Sequence, residues 1–242
     1  MIAFEPVGSL AVLRFDRESK RNALTPRMLR DLLSTLNTCA SARAIVLSGV
    51  GPIFCAGFDL AMCRDDDAVL PELLTGLSGV IRALRRDPRP VVVSAHGAAV
   101  AGGCALLGAA DAVVTHAEAK LGYPVVSIGI SPAVSAPTLS LMTDPGPARA
   151  RLLEPALISG TRAAQIGLAH ECVVTREECE PRAIALAQEL AQKPPGAFAY
   201  TKRWLNTIDG SDRDETLERA LRTSLELVGG PEQVQRLAAL KL

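Results

Sequence analysis

Phe54-Cys55-Ala56-Gly57-Phe58-Asp59-Leu60 and Gly97-Ala98-Ala99-Val100-Ala101-Gly102-Gly103-Cys104-Ala105 are two glycine-containing loops, each placed after a short β-branched run. Those runs, Ala44-Ile45-Val46-Leu47-Ser48 and Val91-Val92-Val93-Ser94-Ala95, read as buried strands. Between them Leu70, Leu73, Leu74, Leu77, Ile81 and Leu84 recur at helical spacing, predicting an amphipathic helix that stops before Asp87-Pro88-Arg89-Pro90. Strands separated by a helix imply parallel βαβ units, so the chain reads as α/β.

Working outward, Ile2-Ala3-Phe4 and the run from Leu10 to Phe15 read as paired strands across a Pro-Val-Gly-Ser turn. Thr25 suits a helix N-cap and Pro26 the first helical position, with Leu29, Leu32, Leu33 and Leu36 on one face. Residues 104–110 read as a short helix and Ala112-Val113-Val114-Thr115 as a strand. From Pro132 onward strand signals thin to Cys172-Val173-Val174, and Thr143-Asp144-Pro145-Gly146-Pro147 reads as a loop. Helices are expected over 177–192, 197–206, 214–227 and 233–240. The expected division is an α/β core over 1–190 and a C-terminal helical region over 191–242.

The 242 residues are 48% hydrophobic, enough to bury a substantial core. Lysine plus arginine equal aspartate plus glutamate at 26 each, leaving no net charge to draw nucleic acid or an anionic membrane. The apolar stretches are broken well short of the roughly 20 residues a membrane span needs. Six cysteines are scattered without a C-x-x-C pair, and Met1-Ile2-Ala3-Phe4-Glu5 lacks the features of a signal peptide, so the expected location is a reducing cytoplasm. His96, His116 and His170 show no metal spacing, and no metal is expected.

Generic glycine motifs fail on particular residues. Gly49-Val50-Gly51 follows a strand, but Phe54 occupies the third glycine of a dinucleotide fingerprint and Pro52 intrudes. Gly97 and Gly102 have P-loop spacing, yet Gly103 and Cys104 replace the Lys and Ser/Thr that hold phosphate and magnesium. Gly129-Ile130-Ser131-Pro132-Ala133 is not a nucleophile elbow.

An ordered set of segments resembles the enoyl-CoA hydratase/isomerase (crotonase) family. Arg21-Asn22-Ala23-Leu24 is similar to its early R-N-A-L signature, and Ile45 to Gly49 leading into 54–60 to its first thioester-binding loop. His96-Gly97 through Gly103 is similar to the second loop, Asp111 to an aspartate before the next strand, and Leu121-Gly122-Tyr123-Pro124 to F-G-x-P. Ser159-Gly160-Thr161, Gly167-Leu168 and Lys202 match later positions. The resemblance implies a crotonase (ClpP/crotonase-like) fold, with ββα repeats forming a spiral core and a C-terminal helical trimerisation region. It also implies an acyl-CoA thioester as ligand, coenzyme A being part of that ligand and no separate cofactor being expected.

By that resemblance the backbone N–H groups of Phe58 and Gly102 form an oxyanion hole, two donors aimed where a thioester carbonyl gains negative charge. CoA contacts are assigned to Arg21, Ala23, Ala56, Gly57, Asp59 and Leu60, and the acyl pocket to Cys104, Tyr123 and Pro132. Family hydratases carry two glutamates for proton transfer, at positions that correspond here to Ala105 and Val125, neither of which can move a proton. Ala61 stands where relatives often carry a lysine for the CoA phosphates, and the frequent closing Phe/Arg-Pro segment is missing before Leu242. Three readings follow: an acyl-CoA binder without hydratase activity, an isomerase or decarboxylase with unusual acid/base residues, or a structural subunit of a mixed assembly. Leu217, Leu221 and Leu225 form an apolar stripe for which a partner surface is expected, giving a homotrimer or hexamer.

Overall fold

The computed structural model describes residues 1–240. Its strands are β1 (Ile2–Val7), β2 (Leu10–Phe15), β3 (Ala44–Gly49), β4 (Val91–Ala95), β5 (Ala98–Val100), β6 (Ala112–His116), β7 (Lys120–Gly122), β8 (Ile158–Ser159) and β9 (Glu171–Val173). Its helices are α1 (Pro26–Thr38), α2 (Leu60–Asp65), α3 (Val69–Arg86), α4 (Gly102–Ala105), α5 (Ala136–Met142), α6 (Pro145–Leu153), α7 (Gly160–Gln165), α8 (Cys179–Ala191), α9 (Pro195–Asp209), α10 (Asp214–Leu225) and α11 (Pro231–Ala238).

The large sheet has the order β1-β2-β3-β4-β6-β9, antiparallel at β1–β2 and parallel elsewhere. Its central strands are apolar on both faces because both faces are covered. Ala11, Leu13, Ile45, Leu47, Val91 and Val93 face the main core with the leucines of α1 and α3. Leu10, Val12, Val46, Val92 and Val114 face Ala183, Ala187 and Ala191 of α8, whose small side chains let the helix lie close to the sheet. Thr25 Oγ1 accepts the Met28 N–H, and Pro26 occupies the first turn, so α1 starts where its cap chemistry says it should.

A second sheet, β5-β7-β8, has strands of only two or three residues. The predicted 143–147 loop is shorter than expected, because Pro145 opens α6. The 104–110 helix is a short α-turn, α4, continued as a 3₁₀ turn over Leu106–Ala109.

The apolar stripe of α10 also differs from expectation. Leu217 is buried, while Leu221 and Leu225 are half-buried against the chain's own core, so these leucines already have a surface to cover. The exposed apolar face lies instead on α9, where Tyr200, Trp204, Leu205 and Ile208 stand in solvent. Leu242 lies outside the described residues. Asp111 and Lys202, read as family positions, form a 2.7 Å buried ion pair between the start of β6 and α9, and Asp111 also accepts the Val91 N–H at 2.8 Å. Among the described residues no helix is long and apolar enough to cross a membrane, and no cluster of His, Cys, Asp and Glu is arranged to hold a metal.

Candidate functional site

The two glycine loops lie edge to edge. Cys55 N–H donates to Ala98 O, Val100 N–H donates to Cys55 O (both 3.0 Å), and Phe54 N–H donates to His96 O at 2.8 Å, which runs the first loop parallel to β5. Asn22 braces the first loop from beneath: its Nδ2 donates to Val50 O and Ile53 O, both at 2.9 Å, and its Oδ1 accepts the Arg17 N–H. Arg21 and Asn22 both adopt left-handed φ (52° and 55°), a conformation Asn tolerates better than most residues, and this turn carries the Asn22 amide inward.

The second loop is held at its start by His116, whose Nε2 accepts the Gly97 N–H at 3.0 Å, while His96 Nε2 meets Gly51 O at 3.2 Å. Burial pushes both histidines below the ordinary imidazole pKa, and the positive charge of Arg176 adds to the effect. Gly97 turns with φ +63°, and a Cβ there would sit 2.0 Å from Pro52 O. Ala101 keeps φ +51° without being glycine, a strained conformation immediately before Gly102.

Leu24 fixes the direction of the Phe58 amide. Leu24 N–H donates to Gly57 O (2.7 Å) and Leu24 O accepts Asp59 N–H (3.0 Å), so the intervening Phe58 N–H points away from that bridge. Among the described residues the Phe58 and Gly102 amides have no hydrogen-bond acceptor, while Phe58's ring packs over the Gly102 Cα. Both residues line one cavity.

That cavity, about 250 Å³, is lined by Ala56, Phe58 and Leu60 of the first loop, Gly102 of the second, and Tyr123, Val125 and Pro132 beyond β7. Tyr123 is the one titratable side chain among its described lining residues. It is fully buried, and burial together with its neighbour Cys104 raises its pKa well above the ordinary phenol value. Cys104 sits behind Tyr123, does not line the cavity, and has its thiol pushed up to about 12 by burial. Ala105 is equally buried and away from the cavity, whereas Val125 is part of its wall. Gly57 lies buried beside Val100 and Ala101. Asp59 caps α2 through Met62 N–H and pairs with Arg17 at 2.7 Å, so its carboxylate is occupied structurally. Arg21 is exposed and Ala23 half-buried at the outer edge of the first loop.

Two contributions were not evident from sequence. Leu240, far along the chain, also lines the cavity, and Asn22 is a brace as well as part of a signature. A larger cavity of about 910 Å³ opens elsewhere, between the ends of α1, α3 and α8 and the start of α9, but neither glycine loop reaches it.

A model of the enoyl-CoA hydratase/isomerase family matches residues 5–229. The chain belongs to that family. It is 34% identical over 190 residues to a probable enoyl-CoA hydratase of Bacillus subtilis, covering 74% of this chain and 71% of the other. It is 28% identical over 234 residues to a crotonyl-CoA hydratase of Syntrophomonas wolfei, covering 94% and 88%. The crystal structure of an enoyl-CoA hydratase/isomerase from Mycobacterium paratuberculosis superposes with a TM-score of 0.89 at 25% identity, covering 99% of this chain and 98% of that one. The crotonase fold expected from the sequence is therefore the fold of this chain.

Proposed function

We propose that this crotonase-family protein binds acyl-CoA thioesters, with the Phe58 and Gly102 amides on the thioester oxygen, and does not hydrate enoyl-CoA at ordinary rates. The carrying observation is a pair of unpartnered amides beside a cavity with no carboxylate among its described lining residues. Polarisation of a thioester needs only fixed donors. Adding water across a double bond also needs a group to take and give protons, and alanine and valine supply none. Coenzyme A enters as part of the ligand, with Arg21, Ala23 and the 56–60 segment at the loop edge as its contacts.

Tyr123 supports a second reading. A buried phenol in the cavity wall is a weak acid within reach of bound ligand, so an isomerisation through a thioester enolate would have one proton carrier. The exposed face of α9 supports assembly into a homotrimer or hexamer, since four large apolar side chains on one helix are unusual without a cover. Six free cysteines fit a reducing cytoplasm.

Calorimetry with an acyl-CoA and an absorbance assay with crotonyl-CoA separate the two halves of the proposal. Binding without turnover is the expected result. Hydration at the usual rates of order 1–10³ s⁻¹ would overturn the loss of activity, and absence of binding would overturn the ligand.

A further inference from the structure

The cavity of about 910 Å³ lies at the end of the large sheet where β3 and β4 begin, flanked by Ala42-Arg43 and Pro90. The glycine loops follow the opposite ends of the same two strands, and the two cavities share no lining residue. We infer that the larger cavity is a second binding site, separate from the glycine loops, for a small organic anion: an anionic headgroup held by Arg43 and Lys193 on an apolar body that fills the groove. This inference does not depend on acyl-CoA binding at the loops.

The walls argue for the apolar body. Leu33 and Leu36 of α1, Ala83 of α3, Leu190 of α8 and Phe198 of α9 all contribute to the lining, so four helices supply it. Leu36 is buried and the other four are half-buried, which leaves part of each open to a ligand. The volume falls within the roughly 300–1,000 Å³ of ordinary small-molecule pockets. Each methylene or ring carbon covered there adds to affinity.

The charged lining residues argue for the headgroup, because they divide into a spent pair and two free cations. Asp87 is the one acid among the described lining residues, and Arg89 takes both of its oxygens, Nε on Oδ1 at 2.8 Å and Nη2 on Oδ2 at 2.7 Å. Arg89 also donates to Cys39 O at 2.6 Å and Leu36 O at 3.1 Å, closing the end of α1, so this pair is neutral and fully engaged. Arg43 bonds to carbonyls alone: its Nη2 donates to Ala191 O at 2.8 Å and to Lys193 O at 3.0 Å. Those bonds hold the guanidinium at the end of α8, beside the backbone of the second cation. Among the described residues neither Arg43 nor Lys193 forms a salt bridge, and Nε and Nη1 of Arg43 have no protein acceptor. Two uncompensated positive charges on one rim draw an anion, and a carboxylate or phosphate oxygen meets the guanidinium through charge-assisted hydrogen bonds.

Titration calorimetry on the full chain with octanoate, octyl phosphate, 1-octanol and acetate tests both halves. The two octyl anions are expected to bind, with octanol, which lacks the charge, and acetate, which lacks the body, each at least about tenfold weaker. Arg43→Gln combined with Lys193→Gln is expected to weaken the octyl anions by about tenfold or more. Lys193→Gln alone, which breaks no bond within the protein, is expected to weaken them by about threefold. Tighter binding of one anion than the other, lost in the double variant, supports the site and says which headgroup it takes. Equal affinity for octanol and octanoate overturns the inference, as does unchanged affinity in both folded variants or failure of both anions to bind. Displacement of octanoate by hexanoyl-CoA would put the ligand at the glycine loops and overturn it as well.

Discussion

The glycine loops have two unlike sides. Toward the sheet they rest on a polar frame, in which Asn22, His96 and His116 each satisfy backbone groups and the loops bond to one another. Toward the cavity lie Phe58 and Gly102, whose amides have no acceptor among the described residues, together with leucines, isoleucines, prolines, three serines, Val125 and a phenol. The contrast separates two tasks that an enoyl hydratase combines. Fixing amide dipoles requires a rigid, fully engaged support, and moving protons requires titratable groups in front of it. On the function proposed above, this chain keeps the first and, among the described lining residues, has one phenol for the second.

The largest effect is expected from breaking the polar side at Gly97. Gly97→Ala places a methyl 2.0 Å from Pro52 O at a backbone angle alanine resists, so about 4 kcal/mol or more of stability should go. Urea unfolding measures it, and an unchanged midpoint would mean the loop start is not held as described. Asn22→Ala removes three hydrogen bonds and leaves Val50 O, Ile53 O and Arg17 N–H wanting partners, an expected cost of about 3 kcal/mol. Acyl-CoA affinity should fall in the same variant, because the Phe58 amide is aimed by the loop Asn22 braces. Retained affinity in a destabilised but folded protein would detach that brace from the site.

A smaller effect follows from the histidines. His96 and His116 have pKa values lowered from 6.5 in the fold, so the unfolded chain takes up protons first as pH drops. Their contribution is complete above about 6.5 and is lost as pH falls below that value through the lower folded pKa. Protonated His116 can no longer accept the Gly97 N–H, which ties this loss to the second loop. Glu180 acts in a separate, more acidic window: burial raises its pKa, but hydrogen bonds from Arg14 and Ser48 outweigh that and hold it below 4.5. Stability measured from pH 7 to 5 should decline, and His116→Asn should flatten that decline. An identical slope in the variant would show that His116 is not one of its sources.

Much of this architecture was legible because period and capping are local. The leucines of α1 and α3 and the β-branched runs of β3, β4 and β6 gave their elements directly. The small sheet was not legible, since strands as short as Ile158–Ser159 carry no periodicity. In sequence Pro145 looks like punctuation, although proline also opens helices. The α10 stripe was legible as apolar but not as to what it covers, because a stripe facing its own core looks in sequence like one awaiting a partner. At the site, glycine spacing marked the loops, whereas Leu240 reaches the cavity by tertiary packing alone. The resemblance places both Cys104 and Tyr123 in the pocket, and of the two Tyr123 lines it.

The smallest expected effect tests the bare side, and the structure separates two positions that the resemblance treats alike. Val125 lines the cavity and is half-buried, so a carboxylate placed there would face a bound ligand. Ala105 is buried in α4 away from the cavity, so a carboxylate there would enter the core. Val125→Glu alone is therefore expected to give crotonyl-CoA hydration that is measurable but well below 1 s⁻¹, because nothing nearby orients the new group. Apolar walls should raise its pKa, so as a general base it should work better as pH rises. Ala105→Glu is expected to lower the urea midpoint with no gain in rate. If folded Val125→Glu binds acyl-CoA yet hydrates no faster than the unaltered chain at any pH, a carboxylate at that wall is not what the site lacks. A gain from Ala105→Glu instead would mean that α4 turns its side chains toward the ligand when acyl-CoA binds.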